Sequence, residues 1–294
     1  MNRDTGELIH TLGKGRVGND IGPQPLATGS DTSVQLCVLC EGAQDIQNEL
    51  RLVNRAMDRS RRACNPTMFN ADGTIVPINE LPKTCVIIVR GKKRRNWVKS
   101  KRYRALEMYR RYLYRKQREY RKQSHNELAN KLAALGDDHY IEKMNWQALA
   151  KRSKKTEVSE KTGKFKRKKR FGKSIATKAP ATLVNEYEKR VLRLGGQFHR
   201  VDPKALKASQ YDHESHTYKK KNLSKRWHVT ESGVRVQRDM YSAFLLQNVA
   251  EDMTSYNETA LAEKFEAFKQ LHDAEVQRLQ LTHTPSSTGV RCIA

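Results

Sequence analysis

No apolar run in this sequence is long enough to cross a bilayer: the longest purely aliphatic stretch, Val86 to Val89, stops after four residues. Met1 is followed by polar and charged residues, with no apolar core of a signal peptide. The last four residues, Arg-Cys-Ile-Ala, miss a prenylation box by one position. Cysteine is scarce, odd in number and scattered: the five residues suit a reducing cytoplasm better than a disulfide framework. Cys37 and Cys40 form a lone C-x-x-C. With no second pair to complete a zinc site, a structural place in a strand is the better reading than a metal or redox role. The largest shortfall is of acids: 32 Asp plus Glu stand against 57 Lys plus Arg, a net charge of +25. That balance says little about fold, but it points to polyanionic partners, nucleic acid first.

What is present reads as an alternation of strands and helices without internal repeat. Val17 to Ile21, Pro25 to Thr28 and Val34 to Leu39 predict three strands joined by short turns, hence an antiparallel meander. Asp45 to Ala63 has Ile46, Leu50, Val53 and Met57 at helical spacing and a cationic end that suits the helix dipole. Asn65 to Lys93 reads as an irregular insert. A long helix follows from about Ser100 to Leu135, with Gly136 as its C-cap. Pro180 to Leu194 and Glu258 to Leu281 predict further helices. Gln197 to Val201 predicts a strand, and Arg238 to Val249 a helix with Met240, Ala243, Phe244 and Val249 on one side.

Two segments concentrate the positive charge. Lys99 to Lys122 has eleven basic residues and two acidic ones, with tyrosines interleaved among arginines; Arg110, Arg111, Arg115 and Lys116 are its candidate nucleic-acid contacts. Lys151 to Lys173 has twelve basic residues and two glutamates, too few apolar groups for a core, and reads as a loop ordered by a partner. Its candidate contacts are Lys166, Arg167, Lys168, Lys169 and Arg170. A solvated charged face is the plainer alternative for both.

Against this background the stretch "DHYIEKMNW", Asp138 to Trp146, stands out. It predicts a short strand with Glu142 in its middle, and a carboxylate facing a core must be paired, protonated or bound to a metal. Asp20 on the first strand and Asp239 at the start of a later helix are two further acids on apolar elements. A nuclease using two divalent ions needs carboxylates converging from separate elements. The order strand-Asp, strand-Glu, helix-Asp is that of an RNase H-like core. Spacing alone does not establish it, since 32 acids offer many triples; surface caps and a satisfied strand glutamate are the structural alternative.

The motifs "GNDIGP", "HYIEKMNWQALAKR", "KKRFGKSIATKAPATLV" and "VQRDMYSAFLL", in this order, resemble the RuvC-like nuclease part of the TnpB family. These are transposon-encoded, RNA-guided DNA endonucleases related to type V CRISPR effectors. The resemblance covers about Gly15 to Val249. It implies an α/β RNase H-like mixed sheet with helical insertions and a basic loop, and metal-dependent cleavage of DNA. It further implies two Mg²⁺ or Mn²⁺ ions on Asp20, Glu142 and Asp239, DNA and guide RNA as partners, and a prokaryotic cytoplasm. On this reading residues 1–14 are a tail, 15–250 the nuclease domain, and 251–294 a closing helix and tail. The nuclease domain would hold a helical insertion at about 43–135 and a degenerate zinc-ribbon position at about 209–233.

The sequence also departs from the family. The usual four-cysteine ribbon is replaced by a stretch without cysteine; His213, His216 and His228 are the metal-capable residues there, and no zinc is expected. Tyr241 stands where an asparagine is usual. Asp20 lies nineteen residues after Met1, so the part that grips a guide and reads a flanking motif is expected to be missing. An idle nucleic-acid-binding remnant and a regulatory partner of a transposon complex are the rival readings.

Overall fold

The computed structural model describes residues 10–152, 154, 156–160, 162–163, 165, 171–220, 222, 224–282 and 288–290. Lys166, Arg167, Lys168, Lys169 and Arg170 lie outside the described residues. The chain divides into two compact units, one holding the described residues up to Glu41 and from Lys122 onward, the other Gly42–Arg121.

The first unit is a mixed α/β structure built on one five-stranded sheet. Its strands are β1 (Arg16–Ile21), β2 (Pro25–Gly29), β3 (Val34–Val38), β4 (Asp138–Glu142) and β5 (Gln197–Val201). They lie in the order 3-2-1-4-5. The expected meander holds: β1, β2 and β3 pair antiparallel. β4 then joins the other side of β1 in parallel, and β5 joins β4 in parallel. A two-residue side-chain period divides the strands between two faces. Ala27, Leu36, Tyr140 and Val201 point to one core and Ile21, Leu26 and Ile141 to another.

Helices cover both faces. On the second face lie Ala129, Leu132 and Ala133 from the last turns of the long helix Lys101–Ala133, with Leu183, Tyr187 and Val191 of helix Pro180–Arg193. On the first face lie helix Arg238–Gln247 and helix Glu258–Leu281. All ten residues of Arg238–Gln247 are buried, not one side only as the spacing predicted. The helix rests on the sheet beneath it, while Glu258–Leu281 and the ribbon Trp227–Val229/Arg235–Gln237 cover its back.

Glycines set two close approaches. A Cβ on Gly18 of β1 would lie 2.0 Å from the Ala243 carbonyl oxygen and 2.3 Å from the Gln247 amide nitrogen, so only glycine lets helix Arg238–Gln247 sit this near the strand. Gly136 is the expected C-cap of the long helix, a place where a positive φ is common, but that helix ends at Ala133. The φ of Gly136 is not among the positive ones. Its Cβ position is instead taken by the Gly15 carbonyl oxygen at 2.2 Å, so it serves chain crossing rather than helix termination.

The second unit packs helix Ala43–Cys64 against the first part of Lys101–Ala133 through Ile46, Leu50, Val53, Met57 and Leu113. The insert expected to be irregular contains a hairpin, Val86–Val89 with Lys92–Arg95. Its two-residue loop, Arg90-Gly91, has positive φ at both positions (51° and 71°), the backbone that suits the twist of tight hairpins. The loop escapes notice in sequence because Arg stands where Asn or Asp usually signals such a turn. Among the described residues no helix is long and apolar enough to cross a membrane.

Candidate active site

The sheet register brings two of the three acids together. β1 and β4 run parallel with Asn19 beside Ile141, so the next residues along, Asp20 and Glu142, stand side by side on the same face. Glu142 is the last residue of its strand, not the middle one as expected. Met144 and Trp146 lie past the strand, and Trp146 opens a short helix instead. The two carboxylates therefore emerge at the carboxyl ends of adjacent parallel strands, the place where open α/β sheets leave room for ligands.

The third acid arrives from above. Gly18 sits under Ala243 and Gln247, and Asp239 lies one turn before Ala243 on the same stripe of that helix. Strand and helix run in opposite directions here, so one step from Gly18 to Asp20 matches one turn from Ala243 back to Asp239. Asp20, Glu142 and Asp239 all line one cavity of about 520 Å³. Its remaining wall has a basic part, with Lys220, Arg226 and Arg238, and an apolar part, with Pro23, Met144 and Phe171.

The three acids share the cations of this cavity unequally. Burial pushes the Asp20 carboxyl well above the usual range; the negative charges of Glu142 and Asp239 push it further, while Arg238 and the Ser242 hydroxyl work against them. Burial likewise raises Glu142 from 4.5 to about 7. Both side chains keep some surface toward the cavity, yet protein surrounds them elsewhere. Asp239 is better provided for. Its Oδ1 accepts from Arg238 Nε at 3.1 Å and Nη2 at 3.0 Å, and Arg226 Nη1 stands 3.6 Å from Oδ2. It also lies in the first turn of its helix, where the dipole favours an anion.

Three carboxylates give oxygen donors only, a set that suits Mg²⁺ or Mn²⁺. A cation between them would relieve the repulsion that raises Asp20. In this respect the residues fit a divalent ion. No group of three or more His, Cys, Asp or Glu stands ready for a metal among the described residues; Asp239 faces Arg238.

Arg226, Arg238 and Ser242 were not singled out from sequence. Arg238 directly precedes Asp239, and the "RD" pair is a visible signal for it; Ser242 follows three residues later, nearly one helical turn on. Arg226 had none, because its place depends on the ribbon that starts at Trp227.

The remaining candidates lie elsewhere. Arg110 is half-buried and Arg111, Arg115 and Lys116 are exposed, all on the part of helix Lys101–Ala133 that belongs to the second unit. At the ribbon position, His213 Nδ1 pairs with the Tyr241 hydroxyl at 2.7 Å, and that hydroxyl also accepts from the His213 amide at 3.0 Å. His228 stacks on the Tyr241 ring at 4.6 Å and its Nε2 lies 3.3 Å from Asp212 Oδ2. His216 Nδ1 lies 3.2 Å from Glu258. Tyr241, unusual for the resembled motif, thus joins the two histidines in one aromatic cluster. Cys37 lies in β3, where burial pushes its thiol up to about 11, and the Cys40 thiol donates to the Lys178 carbonyl at 3.8 Å.

In comparisons with known proteins, the chain matches no protein-family model and no curated protein.

Proposed function

We propose that the chain is a metal-dependent DNA endonuclease of RNase H-like build, similar to the nuclease part of the TnpB family. One observation carries the reading: Asp20, Glu142 and Asp239, from two neighbouring strand ends and a helix start, meet in one cavity. The 3-2-1-4-5 strand order with β2 alone reversed supports the fold assignment. Fold by itself would not supply a function; the reading rests on the acids.

Asp20, Glu142 and Asp239 would hold the ions. Two divalent ions would supply a nucleophile at neutral pH and neutralise charge on the leaving oxygen. Arg226, Arg238 and Lys220 on the same wall give the phosphate a cationic seat, and their charge carries no base preference. An RNA guide belongs to this proposal through the resemblance alone.

One specific observation favours the idle-remnant reading, the engagement of Asp239 by Arg238 and Arg226. Labelled single-stranded DNA incubated with the chain in Mg²⁺ or in chelator separates the two: cleavage only with Mg²⁺ is expected, and binding without cleavage would leave the remnant.

A thermal experiment tests the metal independently of turnover. The ordinary pKa of Glu142 is 4.5 and its folded value is about 7, so the folded state holds the proton more tightly than the unfolded one. Stability without metal is then fully present below about pH 4.5 and is lost as the pH rises toward 7. Mg²⁺ must displace that proton. It should therefore raise the melting temperature clearly at pH 8 and little at pH 5. Equal shifts at both, or none at pH 8, would remove Glu142 from the metal site.

A further inference from the structure

The two units need not share one substrate contact, and the second carries a surface of its own. On helix Lys101–Ala133, Leu106 and Leu113 turn inward toward Ile46, Leu50 and Val53. One outer flank of the helix presents Met108, Tyr109, Tyr112, Arg115 and Lys116, at spacings of one, four, seven and eight residues from the first. Met108 is 70% exposed, Tyr112 45% and Tyr109 41%. The Tyr109 and Tyr112 rings are stacked, with centroids 6.0 Å apart and planes 17° from parallel. The Arg115 guanidinium stands 5.8 Å from the Tyr112 ring centroid. The Tyr109 hydroxyl donates to Glu49 of the neighbouring helix, which fixes that ring without covering it.

We propose that this flank is a stacking platform for single-stranded nucleic acid. An apolar flank alone would fit many partners. Here Lys99 to Lys122 has eleven basic residues against two acidic, which selects a polyanion. Among polyanions, two rings already parallel and framed by Arg115 and Lys116 favour one with aromatic faces to offer. Duplex bases are stacked on each other; bases of a single strand have free faces for an aromatic side chain. The proposal concerns the second unit and does not rest on the nuclease reading.

The test uses the full chain in chelator, so that no cleavage occurs. Fluorescence anisotropy would compare a twelve-nucleotide oligothymidine with an abasic strand of the same length and charge. The parent should bind the thymidine strand about ten-fold more tightly, the effect of roughly one stacked base. Tyr112→Ala should remove most of that preference, and Tyr112→Phe should keep it, since the ring rather than the hydroxyl stacks. The salt dependence should be the same for all three, because no charge changes. Equal affinity of the parent for the two strands would overturn the proposal. So would a preference that survives in the Tyr109→Ala/Tyr112→Ala chain.

Discussion

Asp20→Asn should abolish Mg²⁺-dependent cleavage and, without metal, raise the melting temperature. The activity loss is expected to exceed about 100-fold, since even groups that merely support a metal ligand are worth about 10–100-fold. The stability gain follows from the site's electrostatics. Asp20 is half-buried beside Glu142 and Asp239, and its carboxyl is held well above the ordinary value of 3.8. For an acid raised in the folded state, stability is present at low pH and is lost as the pH climbs toward the folded value. Asn resembles the protonated acid and escapes that loss. Its advantage should be absent below about pH 3.8, grow as the pH rises, and reach a few degrees at neutrality. Asp239→Asn makes the contrast. It also ends cleavage, but it leaves buried Arg238 without its carboxylate, and losing one member of a buried pair costs on the order of 3–5 kcal/mol. The two variants should thus move stability in opposite directions. Cleavage rates and melting curves across pH decide it. An Asp20→Asn chain that cuts like the parent removes the active-site assignment, and one that melts lower removes the account of repulsion.

Much of this site was legible because its three acids sit on strongly patterned elements. Asp20 follows "VGN" on a strand bounded by Gly22 and Pro23, and Glu142 follows the apolar pair Tyr140-Ile141. β5 and the helix Glu258–Leu281 end where their flanking residues predict, at Asp202-Pro203 and near the last leucines. The errors have local causes. Met144 and Trp146 extended the apolar beat past the strand, so Glu142 looked central when it is terminal. The helix Arg238–Gln247 looked one-sided because periodicity reports the side facing the sheet and says nothing of a second cover, here a ribbon and a helix. The cationic half of the cavity was hidden for a related reason. Arg226 reaches Asp239 through a tertiary approach between residues 13 apart, which no spacing rule marks.

Gly18→Ala should cost more than any other single methyl in this sheet, and it should damage the site without touching an acid. The added carbon would lie 2.0 Å from the Ala243 carbonyl oxygen and 2.3 Å from the Gln247 amide nitrogen, both backbone atoms that no rotamer change can move. Gly18 has no positive φ, so alanine suits its backbone and the whole penalty comes from this collision. Overpacking of this kind costs about 1–3 kcal/mol, occasionally more. At about 2–4 °C per kcal/mol for a chain of this size, the melting temperature should fall by roughly 2–12 °C. Gly29→Ala is the control. It lies on the neighbouring strand under the same helix, but its methyl would meet the Phe244 nitrogen at 3.4 Å, an ordinary contact. The lost freedom of the unfolded chain then offsets any crowding, and the change should be close to neutral. The functional consequence follows from geometry. The helix that must lift away from Gly18 is the one that carries Asp239, so the third acid moves off the other two. A displacement of about 1 Å can cost about 100-fold in rate. Cleavage by Gly18→Ala should therefore fall well below that of Gly29→Ala at a temperature where circular dichroism shows both chains folded. If the two glycine variants melt and cut alike, the close seat of helix Arg238–Gln247 on β1 does not set the position of Asp239.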